Sequence, residues 1–222
     1  MNTLTVLHSA HPATVPLHLT QIHVTYEQAA RLLRIRDTYD WHQRIWQAFG
    51  GRDGEARDFL VRIDQKEDAH RVLILSSTPP TRPDWCPGDC FATKPIPDTF
   101  FAHPSFAFSL LANPTKKVRS NAAGERTKNG RRVPLTKRED LLVWLERKAA
   151  ASGFSIDPEA VQTIPRGREF FHKTGANGVH SAVEFRGQLQ VTDAASLRAA
   201  VASGLGSAKA FGFGLLVLAP LG

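Results

Sequence analysis

Tyr39, His42 and Trp46 stand at i, i+3 and i+7, the spacing of one side of a helix. An imidazole with an ordinary pKa near ~6.5 takes or gives a proton at neutral pH. A tyrosine one turn away can hydrogen-bond a phosphate or orient the ring. The three border the apolar stripe of that helix (Trp41, Ile45, Ala48, Phe49) rather than lying in it. The plain alternative is a surface histidine flanked by two core aromatics.

A second stretch with chemical content is Gly204-Leu205-Gly206-Ser207-Ala208-Lys209-Ala210-Phe211-Gly212-Phe213-Gly214-Leu215-Leu216. Glycines allow positive φ and let a phosphate approach bare N–H groups, and a lysine adds a point charge. Gly204, Gly206, Lys209, Gly212 and Gly214 are therefore candidate phosphate contacts. The plain alternative is a helix cap and a turn into a final strand. It is not a Walker loop, because G-x-x-x-x-G-K-[ST] is absent.

Charge supplies the third feature. Residues 1–100 hold 11 Lys and Arg against 12 Asp and Glu, whereas residues 101–222 hold 17 against 9. Between Lys116 and Arg138 nine cations meet the single acid Glu125. Such a segment is either a solvated loop or a grip for a polyanion, and its density favours nucleic acid. Lys116, Lys117, Arg119, Lys128, Arg131 and Arg132 are its candidate contacts.

The 222 residues can bury a real core in one large domain or two small ones. No apolar run approaches the ~18 residues of a membrane helix, and Met1 to Val15 lack the pattern of a signal peptide, which argues for the cytoplasm and against a membrane partner. Cys86 and Cys90 have no partner pair to complete a metal site, so Cys86-Pro87-Gly88-Asp89-Cys90 reads as a turn and no metal or cofactor is expected.

These residues need elements to position them. Residues 17–26 alternate and read as a strand, and 27–37 as one or two helical turns. Thr38 is the expected cap of a helix over 39–49. Strands follow at 59–63 and 72–76, joined through 64–71. The proline-crowded stretch 78–104, with a short strand near 91–94, reads as a domain edge. A strand begins at Ser105, and the basic segment 115–134 is a loop or hairpin with turn signals at Ala122-Ala123-Gly124 and Asn129-Gly130. Thr136 is the expected cap of a helix over 137–151. Strands are expected near 161–164, 169–172, 179–185 and 188–191, then a helix over 194–203 capped by Asp193, and a last strand over 215–218. Each half thus reads β-α-β-β-α-β, the first copy with a degenerate second helix. The expected fold is α+β, two tandem ferredoxin-like (RRM-like) domains with antiparallel sheets, dividing at 1–100 and 101–222.

The features in this order resemble the CasE-type CRISPR repeat-RNA endoribonucleases of the RAMP superfamily. The resemblance is carried by Tyr39-Asp40-Trp41-His42, Ala56-Arg57-Asp58-Phe59-Leu60, Leu111-Ala112-Asn113-Pro114-Thr115-Lys116, Arg132-Val133-Pro134-Leu135, Trp144-Leu145-Glu146-Arg147-Lys148 and the glycine loop with Ala219-Pro220. It implies metal-free cleavage of precursor CRISPR RNA at the base of each repeat stem-loop by 2′-OH attack, with His42 and Tyr39 catalytic. It also implies other Cascade subunits as partners and a monomer when free. Where some members carry further basic residues after the histidine, this chain has Gln43 and Gln47, with Arg44 charged. Two rivals stand beside it. One is a non-catalytic RNA-binding subunit. The other is a 2H-type phosphoesterase, whose mark is two H-x-T triplets, here His23-Val24-Thr25 and His172-Lys173-Thr174.

Overall fold

Alternation makes the strands. In Ser105–Ala112 the side chains of Phe106, Phe108, Leu110 and Ala112 are buried and those between are half exposed, the period of a strand with one face on a core. The computed structural model describes residues 15–50, 57–120, 126–173 and 176–222, with side chains described at all of these except 120, 126–129, 170–173 and 176–178.

In chain order the elements are β1 (Leu17–Thr25), α1 (Thr38–Trp46), β2 (Phe59–Gln65), β3 (Ala69–Ser76), β4 (Phe91–Ile96), β5 (Ser105–Ala112), β6 (Thr115–Ser120), β7 (Arg126–Pro134), α2 (Arg138–Ala150), β8 (Phe154–Ile156), β9 (Gln162–Lys173), β10 (Ala176–Val191), α3 (Ala194–Ser203) and β11 (Leu216–Pro220). One antiparallel sheet has the order β2-β3-β1-β4, and a second has β11-β5-β10-β8 with β9 also on β10. In each, the first strand of the unit lies between its third and fourth, and the second is at the edge. That is the ferredoxin-like order, written twice. In the first unit a single 3-10 turn, Gly88–Cys90, stands where a second helix would be.

Local chemistry differs from the sequence expectation at several points. Asp37, not Thr38, caps α1: its carboxylate accepts from the N–H groups of Tyr39 (2.8 Å) and Asp40 (3.1 Å). A carboxylate also suits the positive end of the helix. Thr136 does not cap α2, which starts after Lys137 with no side-chain bond at the cap. Asp193 caps α3 through Ser196 N–H. Segment 27–37 is a π-helical turn, Gln28–Leu32, followed by irregular chain.

The strand β8 is too short to show periodicity. Glycine misled the reading of β9 and β10, each expected as two strands. Gly187 lies within β10, where a Cβ would come 3.2 Å from Val161 and 3.3 Å from Phe108, a close approach that glycine allows without either neighbour giving way. Asn129-Gly130 lies inside β7 rather than at a turn, with Gly130 beneath the stem of Lys117. Ala122-Ala123-Gly124 lies outside the described residues.

The two units share a boundary. One apolar cluster, with Ile22, Ile45, Phe59, Val72 and Ile74, belongs to the first unit. The other centres on the second unit but takes in Leu17, Leu60 and Leu75 from the first sheet. On the same boundary Arg62 of β2 is 4% exposed and donates to Glu184 Oε1 (2.8 Å), Ser109 Oγ (2.8 Å) and Asp64 Oδ1 (2.7 Å). Glu184, 1% exposed, also accepts from Arg186 (2.8 and 3.0 Å) and Arg166 (2.9 Å). Burial alone would raise its pKa. Hydrogen bonds from Arg186, Arg166, Ser109 and Arg62 outweigh that and hold the carboxyl far below the usual range.

Removing one partner of such a pair leaves a buried charge unmatched, so Glu184→Ala costs about 3 kcal/mol in urea unfolding. Because the folded pKa is depressed, the stability from Glu184 is present above its unfolded pKa and lost as pH falls. Thermal midpoints of the wild type are therefore level near neutrality and drop once pH passes below ~4.3, the ordinary glutamate value. The variant shows a shallower acid drop. An equal drop in both places the acid sensitivity elsewhere.

Candidate active site and nucleic-acid interface

The helix α1 exposes one edge between its buried residues, Trp41 and Ile45, and solvent. His42 lies half-buried on that edge. Its Nε2 accepts the indole N–H of Trp46 at 3.0 Å, which places the proton of the neutral ring on Nδ1. The two rings meet edge to face, centroids 6.1 Å apart. Beneath them lies Phe59 of β2, 6.2 Å from His42 and 4.9 Å from Trp46, itself stacked on Phe49 at 4.5 Å. The imidazole is thus set by an aromatic shelf at the end of β2 and the start of its own helix turn. Tyr39, one turn earlier on α1, is half exposed.

Burial pushes the His42 pKa below 6.5, and the nearby Arg57 guanidinium pushes it further down. Arg57 precedes β2. Its guanidinium lies 5.7 Å over Phe59, and Nη1 donates to the carbonyl of Lys209 in the glycine loop at 2.9 Å. The Lys209 pKa is lowered by burial, by Lys148 and by Arg57. Its Nζ donates to the Ser203 carbonyl at 2.6 Å, and Lys148 Nζ sits 6.0 Å from the Trp144 ring. So Arg57 stands beside a neutral histidine and also reaches the glycine loop of the second unit, where Lys148 and Arg57 crowd the Lys209 ammonium. Arg57 disfavours charge on His42, and Lys148 and Arg57 disfavour it on Lys209, a cost that an anion among them relieves.

Sequence reasoning selected His42 and Lys209 but missed Arg57 and Lys148 as site residues. Arg57 meets Lys209 across 152 positions of chain. The only available signal was a cation next to Phe59 at the start of a strand that must follow α1.

The glycine loop works first as a fitted joint. Gly204, Gly206, Gly212 and Gly214 all have positive φ. Gly214 takes φ +90°, donates its N–H to Leu111 O and accepts from Leu205 N–H, both at 2.8 Å, and a Cβ would lie 2.7 Å from Leu205 O. Gly204 donates to Ala200 O, and its missing Cβ makes room for Leu60 of the first unit at 2.9 Å. These two therefore spend their N–H groups inside the protein. The loop holds the units together and carries Lys209 to the site.

The strands β6 and β7 form a two-stranded ribbon outside both sheets. Lys116, Lys117, Arg119, Arg131 and Arg132 are all exposed on it. The register sets Lys117 directly opposite Arg132 and Val118 opposite Arg131. Cross-strand partners share a face, so Lys117 and Arg132 repel on one side while Lys116 and Arg131 occupy the other. Among the described residues their one ion pair is Lys116 with Asp140, 3.9 Å apart and both exposed. The Lys128 side chain lies outside the described residues.

Other candidates look plainer. His23 is exposed on β1 and bonds Gln21 at 2.8 Å, and the side chain of His172 lies outside the described residues. Among the described residues no group of three or more His, Cys, Asp or Glu could hold a metal. Cys86 and Cys90 are free thiols whose pKa values are raised by burial. A cleft of about 720 Å³ opens between the sheets, lined by Tyr26, Trp41, His70 and Arg166 among others, and does not include His42. Among the described residues no helix is long and apolar enough to cross a membrane.

Comparison with known proteins places this geometry. A family described as CRISPR associated protein matches residues 17–220. The CRISPR system Cascade subunit CasE of Escherichia coli (strain K12) is 34% identical over 192 residues, covering 84% of this chain and 94% of that protein. The CRISPR-associated endoribonuclease Cse3 of Thermus thermophilus is 27% identical over 218 residues, covering 91% of this chain and 99% of that protein. Among solved structures, the T. thermophilus Cse3 bound to an RNA representing a pre-cleavage complex matches with TM-score 0.69 and 28% identity, over 92% of this chain and all of that one.

The electrostatics of the site can be read directly. In Arg57→Gln the positive charge beside His42 is gone, so the imidazole titrates at higher pH than in the wild type, followed by its NMR ring signals. Unchanged titration shows that burial alone sets the pKa.

Proposed function

The chain belongs to the family of CRISPR-associated proteins matched from residue 17 to 220, and from that premise we propose how it works. It is a CasE-type endoribonuclease that binds the repeat stem-loop of precursor CRISPR RNA, cuts at its base and acts with other Cascade subunits in the cytoplasm. Its first ferredoxin-like domain, up to about residue 100, carries the catalytic helix. The second carries the basic ribbon and the glycine loop. The observation that carries the reading is a half-buried neutral histidine with Arg57 beside it, the same Arg57 being bonded to the carbonyl of Lys209 in the glycine loop. That set suits a phosphate with a proton acceptor beside it.

In the proposed reaction His42 takes the proton of the 2′-OH. The 2′-oxygen attacks the adjacent phosphorus, and the bond from phosphorus to the 5′-oxygen breaks. A cyclic phosphate and a 5′-OH result, the proton that His42 took from the 2′-OH being returned to the 5′-oxygen, so that the imidazole ends neutral. The depressed pKa keeps the imidazole neutral and able to accept at pH 7. To do so, Nε2 exchanges its hydrogen bond from Trp46 for one from the substrate. Arg57 and Lys209 take up charge on the phosphate, the part that residues at the positions of Gln43 and Gln47 would otherwise share. The Tyr39 hydroxyl reaches the phosphate from the same face of α1. The reaction needs no metal.

His42→Ala lowers cleavage of repeat RNA by roughly 10²-fold or more and leaves affinity nearly intact. Cleavage by the wild type is level near neutrality and falls in acid, through an apparent pKa below 6.5, as the base is protonated. It persists in excess EDTA and stops on RNA with a 2′-deoxy sugar at the cut. Full activity in His42→Ala, or dependence on Mg²⁺, defeats this reading. A chain that binds repeat RNA without cutting it is the non-catalytic subunit, and loss of cutting in His23→Ala favours the phosphoesterase.

The ribbon and the glycine loop separate by salt. Neutralising Arg131 and Arg132 together weakens binding and lowers the slope of log K against log salt by up to ~1.8. Gly214→Ala costs about 1–3 kcal/mol of stability, from its φ and from Leu205 O, with the slope unchanged. An arginine pair that is neutral at low and moderate salt makes the ribbon a bystander.

A further inference from the structure

Across α1 from His42 lies a second cationic face that the reaction as described does not use. Two residues along a helix are about 200° apart around it. Asp40 and Arg44, each two positions from His42, therefore lie on the opposite edge, with the exposed Gln43 between the edges. There the irregular segment before α1 folds back on the helix. Arg34, Arg36, Arg44 and Asp40 line a concavity of about 390 Å³.

Three features make this more than a scatter of surface charge. Arg44 Nη2 donates to Leu33 O at 3.1 Å and so pins the segment to the helix. Asp40 accepts from Arg36 through its backbone N–H (2.9 Å), Nε (3.0 Å) and Nη2 (3.2 Å), which fixes the Arg36 guanidinium on the rim. Arg34, exposed and with no ion pair among the described residues, sits at φ +54°, in the left-handed region. A glycine there would avoid the cost of that conformation. An arginine kept at such a place is explained by its side chain rather than by its backbone.

The stem and the scissile phosphate are assigned above to the ribbon, the glycine loop and the Arg57 edge of α1. A strand leaving His42 away from them and crossing Gln43 reaches this concavity after about 10 Å, one helix width. We propose that Arg34 and Arg36, held by Arg44 and Asp40, bind backbone phosphates of the single-stranded RNA that continues past the cut, on the side away from the stem. This rests on the repeat-RNA reading. The face acts on uncut transcript and is empty of RNA once the product is made, so it favours precursor over product.

The test uses two RNAs. One is a repeat stem-loop ending at the cut. The other continues several nucleotides further, with a 2′-deoxy sugar at the scissile position to prevent cleavage. Binding is measured across a salt series for the full chain, for Arg34→Gly and for Arg34→Gly with Arg36→Gln. The glycine keeps the left-handed backbone, so the thermal midpoint of Arg34→Gly is equal to or above that of the wild type. On the longer RNA the double variant binds roughly tenfold more weakly, and its salt slope falls by up to ~1.4, two single-strand phosphate contacts. On the shorter RNA it matches the wild type. Equal loss on both RNAs, or no loss on the longer one, overturns the proposal and leaves the activity assignment standing. A wild-type chain that binds neither RNA overturns the assignment and the proposal together.

Discussion

The Arg62–Glu184 pair fixes one ferredoxin-like unit against the other. Everything at the site depends on that registry. His42 and Arg57 belong to the first unit, while Lys209 and Lys148 belong to the second. A shift of an ångström between the sheets would part Arg57 Nη1 from the Lys209 carbonyl. Apolar contact alone, such as Leu60 against Gly204, tolerates sliding. A buried guanidinium bonded to three oxygens at 2.7–2.8 Å does not. The cost of desolvating it is met by a carboxylate that itself accepts from Arg166, Arg186 and Ser109.

Charge is arranged at three densities along the molecule. At the unit boundary, Arg62, Arg166 and Arg186 share the carboxylate of Glu184, and Arg62 and Arg71 share that of Asp64. Nearer His42, burial and Arg57 lower the pKa of the imidazole, and burial, Lys148 and Arg57 lower that of Lys209. On the ribbon the cations are exposed. The buried set holds the two units in register, the half-buried set lowers the pKa values of His42 and Lys209, and the exposed set leaves a strip of positive charge facing solvent. The same residue type thus does three jobs, decided by what stands within a few ångströms of it.

Much of this was legible in the chain because it is local. The alternation of Phe106, Phe108 and Leu110 fixes β5, and the spacing of His42 and Trp46 puts their rings together. Asp193 announces α3. What escaped was set by distant contact or by competing local signals. Asp37 and Thr38 are both good caps, and only the geometry shows that the aspartate holds the N–H groups while Thr38 Oγ1 turns to Glu169, 3.3 Å away. Gly187 reads as a break until Phe108 and Val161 are found beside it. Arg57 could not be ranked above other arginines before its partner from the far end of the chain was in view.

The ribbon shares a ladder with neither sheet and closes on itself at Thr115↔Pro134, with Leu135 N–H bonded to Pro114 O at 3.0 Å. It is therefore an appendage to two sheets that are complete without it. Its length and residues can drift, or be swapped wholesale, without repacking either core. Such change is confined to some twenty residues, while α1, with His42 on it, and the glycine joint between the units are left undisturbed.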